Sequence, residues 1–195
     1  MSEFADLLVR VIGGYVPLKE AQVSRLEAHY EMLVRWNRKM NLTAIRTLEE
    51  TVTRHYAESL YFGAIVGALA KERLGMSRPA AADIGSGAGF PGFPLAVLHP
   101  EWPVTLIESH RRKAVFLSES SRDLPGVRVL CARAENIQER FDLAVSRAVD
   151  PTEVLGLRLA RATCLLAGED DVPRGTIVAG LPWGRRRVIT FHVEQ

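Results

Sequence analysis

The sequence predicts an α/β protein, a mostly parallel sheet with an antiparallel C-terminal hairpin, preceded by a small N-terminal helical lobe. Three observations predict it. Up to about residue 78 the apolar residues recur at helical spacing. From Ala80 onward, short apolar runs alternate with helix-like stretches, the pattern of parallel strands joined by crossover helices. At the end, residues 176–179 and 188–193 read as strands on either side of Leu181-Pro182-Trp183-Gly184, which suggests a hairpin-like reversal. The chain therefore divides into a helical lobe over 1–78 and a sheet domain over 79–195, packed as one unit.

The elements follow in order. Residues 3–12 form a short amphipathic helix stopped by Gly13-Gly14. A longer helix runs over about 18–40, with Leu26, Tyr30, Leu33 and Asn37 on one stripe flanked by Val23 and Val34. Thr47-Leu48-Glu49-Glu50 has the form of a capping box and opens a helix carrying Val52, Tyr56, Ser59 and Leu60 on one side. The apolar run 80–84 then stops at Gly85-Ser86-Gly87-Ala88-Gly89. A helix over 91–98, a strand over 104–107, a helix over 111–122 and strands over 127–131 and 142–145 follow. Residues 151–161 read as helix and 163–167 as strand. The segment 168–175 is too short for a full crossover helix, so the last sheet connection departs from the alternation. No internal repeat or low-complexity linker interrupts the chain.

Composition sets outer limits. The 195 residues fit one domain, and 47% hydrophobic content excludes a disordered chain. No apolar run reaches the ~18 residues needed to span a bilayer. Glu3, Asp6 and Arg10 break up the N-terminus, which is no signal peptide. Cys131 and Cys164 match no metal-ligand spacing, so no metal site is expected; both read as buried core thiols in a reducing cytoplasm. The net charge of +2 says little about partners unless the basic residues gather on one face. Three clusters are candidates for that: Arg35, Arg38 and Lys39; Arg111, Arg112 and Lys113; and Arg185, Arg186 and Arg187. Each reads equally well as an ordinary solvated surface.

The chemistry centres on the glycine loop. Asp83-Ile84-Gly85-Ser86-Gly87-Ala88-Gly89 closes the first strand and leads into a helix, the first half of a Rossmann-like nucleotide-binding unit. Glu108 closes the next strand, where a carboxylate accepts hydrogen bonds from both ribose hydroxyls of an adenosine. The glycine spacing is G-x-G-x-G, whereas a pyrophosphate-binding dinucleotide loop has G-x-G-x-x-G. An acid two residues before the first glycine suits the cationic head group of S-adenosylmethionine better than a pyrophosphate. Taken alone, the loop leaves the adenosine cofactor open.

Further segments narrow it. Trp36-Asn37 with Asn41-Leu42-Thr43-Ala44-Ile45, Arg54-His55 with Ser59-Leu60, the run from Asp83 to Pro94, Arg133-Ala134-Glu135, Phe141-Asp142 and Ser146-Arg147-Ala148 are spread over most of the chain. On these residues the chain resembles the bacterial small-subunit ribosomal RNA guanine-N7 methyltransferases, also called the glucose-inhibited division protein B family. The resemblance implies a Rossmann-like class I methyltransferase sheet, S-adenosyl-L-methionine as cofactor, and 16S ribosomal RNA or the 30S subunit as partner to a cytoplasmic monomer. It implies that Asp83, Gly85, Gly87, Gly89 and Phe90 form the cofactor pocket, with Glu108 on the ribose and Ala134 and Glu135 beside the adenine. Arg147 would lie where cofactor and base meet. Arg147, Asn41 and His55 would have positioning roles in catalysis, with Thr43 and Arg54 bordering the same cleft. Two departures stand out: the family usually has aspartate where Glu108 stands, and the C-terminal part is short.

Such a reaction asks little of the protein. Guanine N7 offers a lone pair and no proton, so no general base must act first, and positioning alone supplies roughly 7 to 11 kcal/mol. Carbonyls or a carboxylate near the base would stabilise the cationic product. Three other readings remain open at this point. They are a same-fold methyltransferase acting on a protein or small molecule, a catalytically silent RNA-binding relative, and a dinucleotide-dependent oxidoreductase, which the glycine spacing disfavours.

Overall fold

The computed structural model describes residues 2–171, 177–183 and 187–193. α1 (Glu3–Ile12) starts where Ser2 Oγ accepts the Ala5 N–H at 3.1 Å, and it buries Phe4, Ala5, Leu8 and Ile12. α2 (Glu20–Asn37) is shorter at both ends than the pattern predicts. Its buried face is Val23, Leu26, His29 and Leu33, not the stripe through Tyr30 and Asn37. A 3.6-residue period allows either 29 or 30 to follow 26, and the neighbours decide between them. Tyr30 is left half-buried, stacked on Phe4 at 4.6 Å.

The next helical stretch has a defect that the sequence did not reveal. Thr47 caps α3 (Leu48–Thr51), its Oγ1 accepting the Glu50 N–H at 3.2 Å. The Glu50 side chain pairs with Arg54 at 3.9 Å, so only half of the predicted box forms. The chain then widens into a π-helical segment (Val52–Ala57) before α4 (Glu58–Leu74), which ends at Gly75 with φ of +67°.

Seven strands form one sheet: β1 (Ala81–Ile84), β2 (Val104–Ile107), β3 (Val127–Leu130), β4 (Phe141–Arg147), β5 (Ala160–Gly168), β6 (Ile177–Gly180) and β7 (Arg187–Val193). Their order is β3-β2-β1-β4-β5-β7-β6, the first five parallel and β7 antiparallel to both its neighbours. Three helices connect them: α5 (Gly92–Leu98), α6 (Arg111–Ser120) and α7 (Pro151–Gly156). α7 is shorter than predicted because β5 already begins at Ala160. After β5 comes a 3₁₀ turn (Glu169–Asp171); Arg185 and Arg186 lie outside the described residues. Ile84 pairs with Ile107 on one side and Ser146 on the other, so β1, β2 and β4 end level at one edge.

Both sheet faces are covered, which is why β1 and β2 are apolar and buried along their whole length. One core cluster joins Leu8, Leu26, Leu33, Tyr56 and Leu60 of the helices to Leu106, Leu143 and Val145 of the sheet. A second, on the opposite face, joins Ala82, Ile84, Ile107 and Ala144 to Val154. Cys164 is buried in β5, but Cys131 is exposed. That corrects the expectation of two core thiols: β3 is an edge strand, and Cys131 lies just past its end. Among the described residues, no helix is long and apolar enough to cross a membrane.

Candidate functional site

At the level edge of the sheet the chain turns sharply. Gly85 N–H and Ser86 N–H both donate to Ile107 C=O at 3.0 Å, and Ser146 Oγ donates to Ile84 C=O at 2.8 Å. The turn needs φ of +71° at Gly85, where a Cβ would also come within 2.7 Å of the Val149 side chain. Further on, a Cβ at Gly92 would lie 2.4 Å from Leu106 and 2.5 Å from Asp83 Oδ2. Its absence lets Gly92 N–H reach Asp83 Oδ2 at 3.0 Å.

Two carboxylates brace this loop. Glu108, 7% exposed, accepts Gly87 N–H at 2.9 Å on Oε2 and His110 N–H at 2.7 Å on Oε1. Asp83 is fully buried, and its Oδ1 has no hydrogen-bond partner among the described residues. Burial pushes the Asp83 carboxyl up to about 7, against the pull of hydrogen bonds at Ser86 and Gly92 and of the Arg147 charge.

Opposite the loop, Arg147 at the end of β4 ties the sheet to the helices. Its Nη1 donates to Arg54 C=O at 2.6 Å and lies 3.9 Å from buried Glu58. Nη2 is 2.9 Å from His55 Nδ1, and the guanidinium sits 5.3 Å from the centre of the Phe90 ring. Arginine only donates, so His55 Nδ1 must accept. The proton of a neutral imidazole then sits on Nε2, 2.7 Å from Thr43 Oγ1. His55 also stacks on Phe90 at 4.7 Å. The π-helical segment thus supplies both a carbonyl and a ring to Arg147, in keeping with the frequent location of such segments at functional sites.

Beneath the loop lies His29. Its Nδ1 is 2.7 Å from Tyr56 Oη, and its ring stacks on Phe93 at 4.1 Å. Nε2 faces the Ala88 main chain without a hydrogen bond of standard geometry. Burial lowers this histidine to about 3.

A cleft of about 190 Å³ opens between these parts, lined by Leu42, Thr43, His55, Gly85, Ser86, Gly87, Ala88, Phe90, Arg147, Ala148 and Val149. Of the residues predicted from sequence, Gly85, Gly87, Phe90, Arg147, His55 and Thr43 come together here, with Glu108 bonded to the loop. Gly89 and Asp83 lie one layer behind. Asn41 is exposed and not part of the wall; Asn37 instead shapes it, accepting the N–H groups of Leu42 and Thr43 at 2.8 and 3.0 Å. Ala134 and Glu135 stand apart on the 3₁₀ turn after β3 (Ala134–Asn136), and Glu135 is exposed. Arg54 contributes its carbonyl rather than its charge. Sequence reasoning missed His29, Glu58 and the anchoring role of Tyr56. The one available signal was that His29 falls between Leu26 and Leu33 at helical spacing.

The chain is similar to known proteins. The family described as rRNA small subunit methyltransferase G matches residues 22–161. The ribosomal RNA small subunit methyltransferase G of Nitrosomonas europaea is 40% identical over 134 residues, 67% of this chain and 58% of that protein. The protein of the same name from Roseiflexus castenholzii is 35% identical over 182 residues, 89% of this chain and 74% of its own length. The chain thus spans less than two thirds of the Nitrosomonas relative. Among solved structures, magnesium protoporphyrin IX methyltransferase from Synechocystis PCC 6803 with bound SAM aligns at a TM-score of 0.58 and 15% identity. That match covers 91% of this chain and 98% of that one, and it is a likeness of fold alone.

Proposed function

The chain belongs to the rRNA small subunit methyltransferase G family, and from that premise we propose that it methylates N7 of a guanine in small-subunit ribosomal RNA, using S-adenosylmethionine. The observation that supports this best is the glycine loop bonded through Gly87 N–H to a strand-end carboxylate, Glu108, beside the Arg147 cluster.

The residues fit the cofactor. The loop at Gly85 and Gly87 is open to a close ligand, and each Glu108 oxygen accepts one N–H while retaining a second lone pair for a ribose hydroxyl. Asp83 adds a buried, incompletely bonded oxygen behind the loop. When bound, S-adenosylmethionine supplies an electrophilic methyl group on a sulfonium. The protein orients and excludes water. Phe90 and His55 offer stacked ring faces at the cleft, and Arg147, fixed by Arg54 C=O and His55, positions the incoming base. With both ring nitrogens in hydrogen bonds, His55 acts as a link and not as a general base, consistent with a nucleophile that has no proton to lose. Ala134 and Glu135 remain candidates for the adenine side, and Asn41 for the RNA side. In this reading 1–78 is a lobe over the sheet domain 79–195, and the chain acts as a monomer on 16S ribosomal RNA or the 30S particle, in the cytoplasm.

The test is direct. Labelled cofactor is incubated with 30S particles and with 16S RNA lacking the modification, and the labelled base is mapped. Label on a single guanine N7 is expected, with Glu108→Gln and Arg147→Lys each slowing transfer at least tenfold. Label on protein alone, or wild-type rates in both variants, would overturn the reading.

A further inference from the structure

The end of α2, the residues that follow it and the start of α6 enclose a feature that the proposed transfer does not use. Arg35, Trp36, Arg38, Lys39 and Met40 face Arg112 across an open notch of about 720 Å³. The four cationic side chains are exposed, and among the described residues no salt bridge joins any of them to a carboxylate. Trp36 is half-buried and meets Phe116 edge-on at 5.6 Å, which anchors the indole and leaves part of it open.

The two sides of the notch differ in a telling way. At the end of α2, cations complement the helix dipole and have an ordinary explanation. α6 has the reverse arrangement: Arg111, Arg112 and Lys113 open the helix, and no acidic residue stands in its first turn. Positive charge at the positive end of a helix is unfavourable; Glu108, which accepts the N–H of His110 just before α6, offsets part of it, and an anion in the notch would offset the rest. Each side is also tied to the cleft. Asn37, at the end of α2, holds the Thr43 main chain that lines it. Glu108 bonds the N–H of His110, the residue that precedes α6, and the N–H of Gly87 in the loop.

We propose that this notch receives the single-stranded RNA flanking the target base, with Trp36 stacking on one neighbouring base while Arg35, Arg38, Lys39 and Arg112 neutralise the adjoining phosphates. The proposal rests on the RNA reading above. An aromatic face amid cations recognises an unstacked strand, because a duplex keeps its base faces inside. The phosphate contribution makes binding salt-dependent, with log K falling by about 0.7 per contacted phosphate for each log unit of salt.

Anisotropy of a labelled single-stranded RNA of about eight nucleotides, over a series of salt concentrations, tests this without requiring activity. The combined variant Arg38→Ala/Lys39→Ala/Arg112→Ala should bind at least tenfold more weakly, with a salt slope shallower by about two. Trp36→Ala should lose about five- to a hundredfold in affinity with the slope unchanged. Trp36→Phe, which keeps a ring, should recover most of that loss and separates stacking from folding. For methyl transfer to 30S particles, the charge variant should raise KM and leave kcat unchanged. Wild-type RNA affinity in the charge variant, or equal binding of a duplex or an acidic peptide, overturns the notch even if methyl transfer proceeds. RNA binding at the notch without any guanine methylation overturns the proposed reaction and leaves the notch standing.

Discussion

Asp83 and His29 show what burial does to single residues around one loop. Both are fully enclosed, and loss of solvation moves them in opposite directions, Asp83 up to about 7 and His29 down to about 3. The signs follow from proton linkage. Asp83 has a folded value above its ordinary 3.8, so its contribution to stability is fully present below that value and lost as the pH rises to about 7. His29 has a folded value below its ordinary 6.5, so its contribution is present above 6.5 and lost as the pH falls towards about 3. Between 3.8 and 6.5 the two slopes oppose each other. Asp83→Asn should therefore leave a melting temperature that climbs with pH across this window more steeply than in the wild type, by roughly several degrees. His29→Gln should produce a profile that is flatter or falls. Identical pH profiles in all three proteins would show that neither group titrates differently from the unfolded chain. Glu108 was legible from sequence because a strand end fixes where its carboxylate goes. His29 was not, because its burial is imposed by Phe93 and Phe116, more than sixty residues away along the chain.

Among the elements, the π-helical segment has the largest effect on the site. The sequence reads the stretch opened by Thr47 as helix, with the chain helical up to about residue 78, and the positions it puts on one side, Val52, Tyr56, Ser59 and Leu60, are indeed buried. The wider turn at Val52–Ala57 is what brings the Arg54 carbonyl and the His55 ring to Arg147. Such a turn behaves as one inserted residue in an α-helix. Deleting Thr53 should let the segment relax to α-helix and swing His55 about 100° from its place, in line with 3.6 residues per turn. The expected result is a folded protein with a melting temperature within a few degrees of wild type and methyl transfer reduced at least a hundredfold. Retained activity would mean that the π turn does not aim His55. The strands were the easier elements to read: β2 begins and ends where its apolar run does, since a strand covered on both faces has no polar side to blur its limits.

For the whole molecule, the question is what holds the C-terminal hairpin against the helices. Trp183 packs edge-on against Tyr15, from the α1–α2 connection, at 5.2 Å, and against Tyr61 of α4 at 5.7 Å. Aromatic pairs of this kind contribute about 0.5 to 1.5 kcal/mol each beyond their buried area. Trp183→Ala should therefore lower the melting temperature by about 3 to 10 °C and leave the KM for cofactor unchanged; no shift would show that the hairpin is held elsewhere. The sequence by itself determined the α/β class, the strand sequence up to β5, the glycine loop and the strand-end carboxylate, because each depends on spacing within a few neighbouring residues. Only the tertiary structure decided that Asn37 rather than Asn41 shapes the cleft, that Cys131 is exposed, and that Arg147 closes on the Arg54 carbonyl. It also brought Trp36 and Arg112 to one notch. Those outcomes depend on which distant segments the shared core draws together, and residue spacing along the chain carries no record of that.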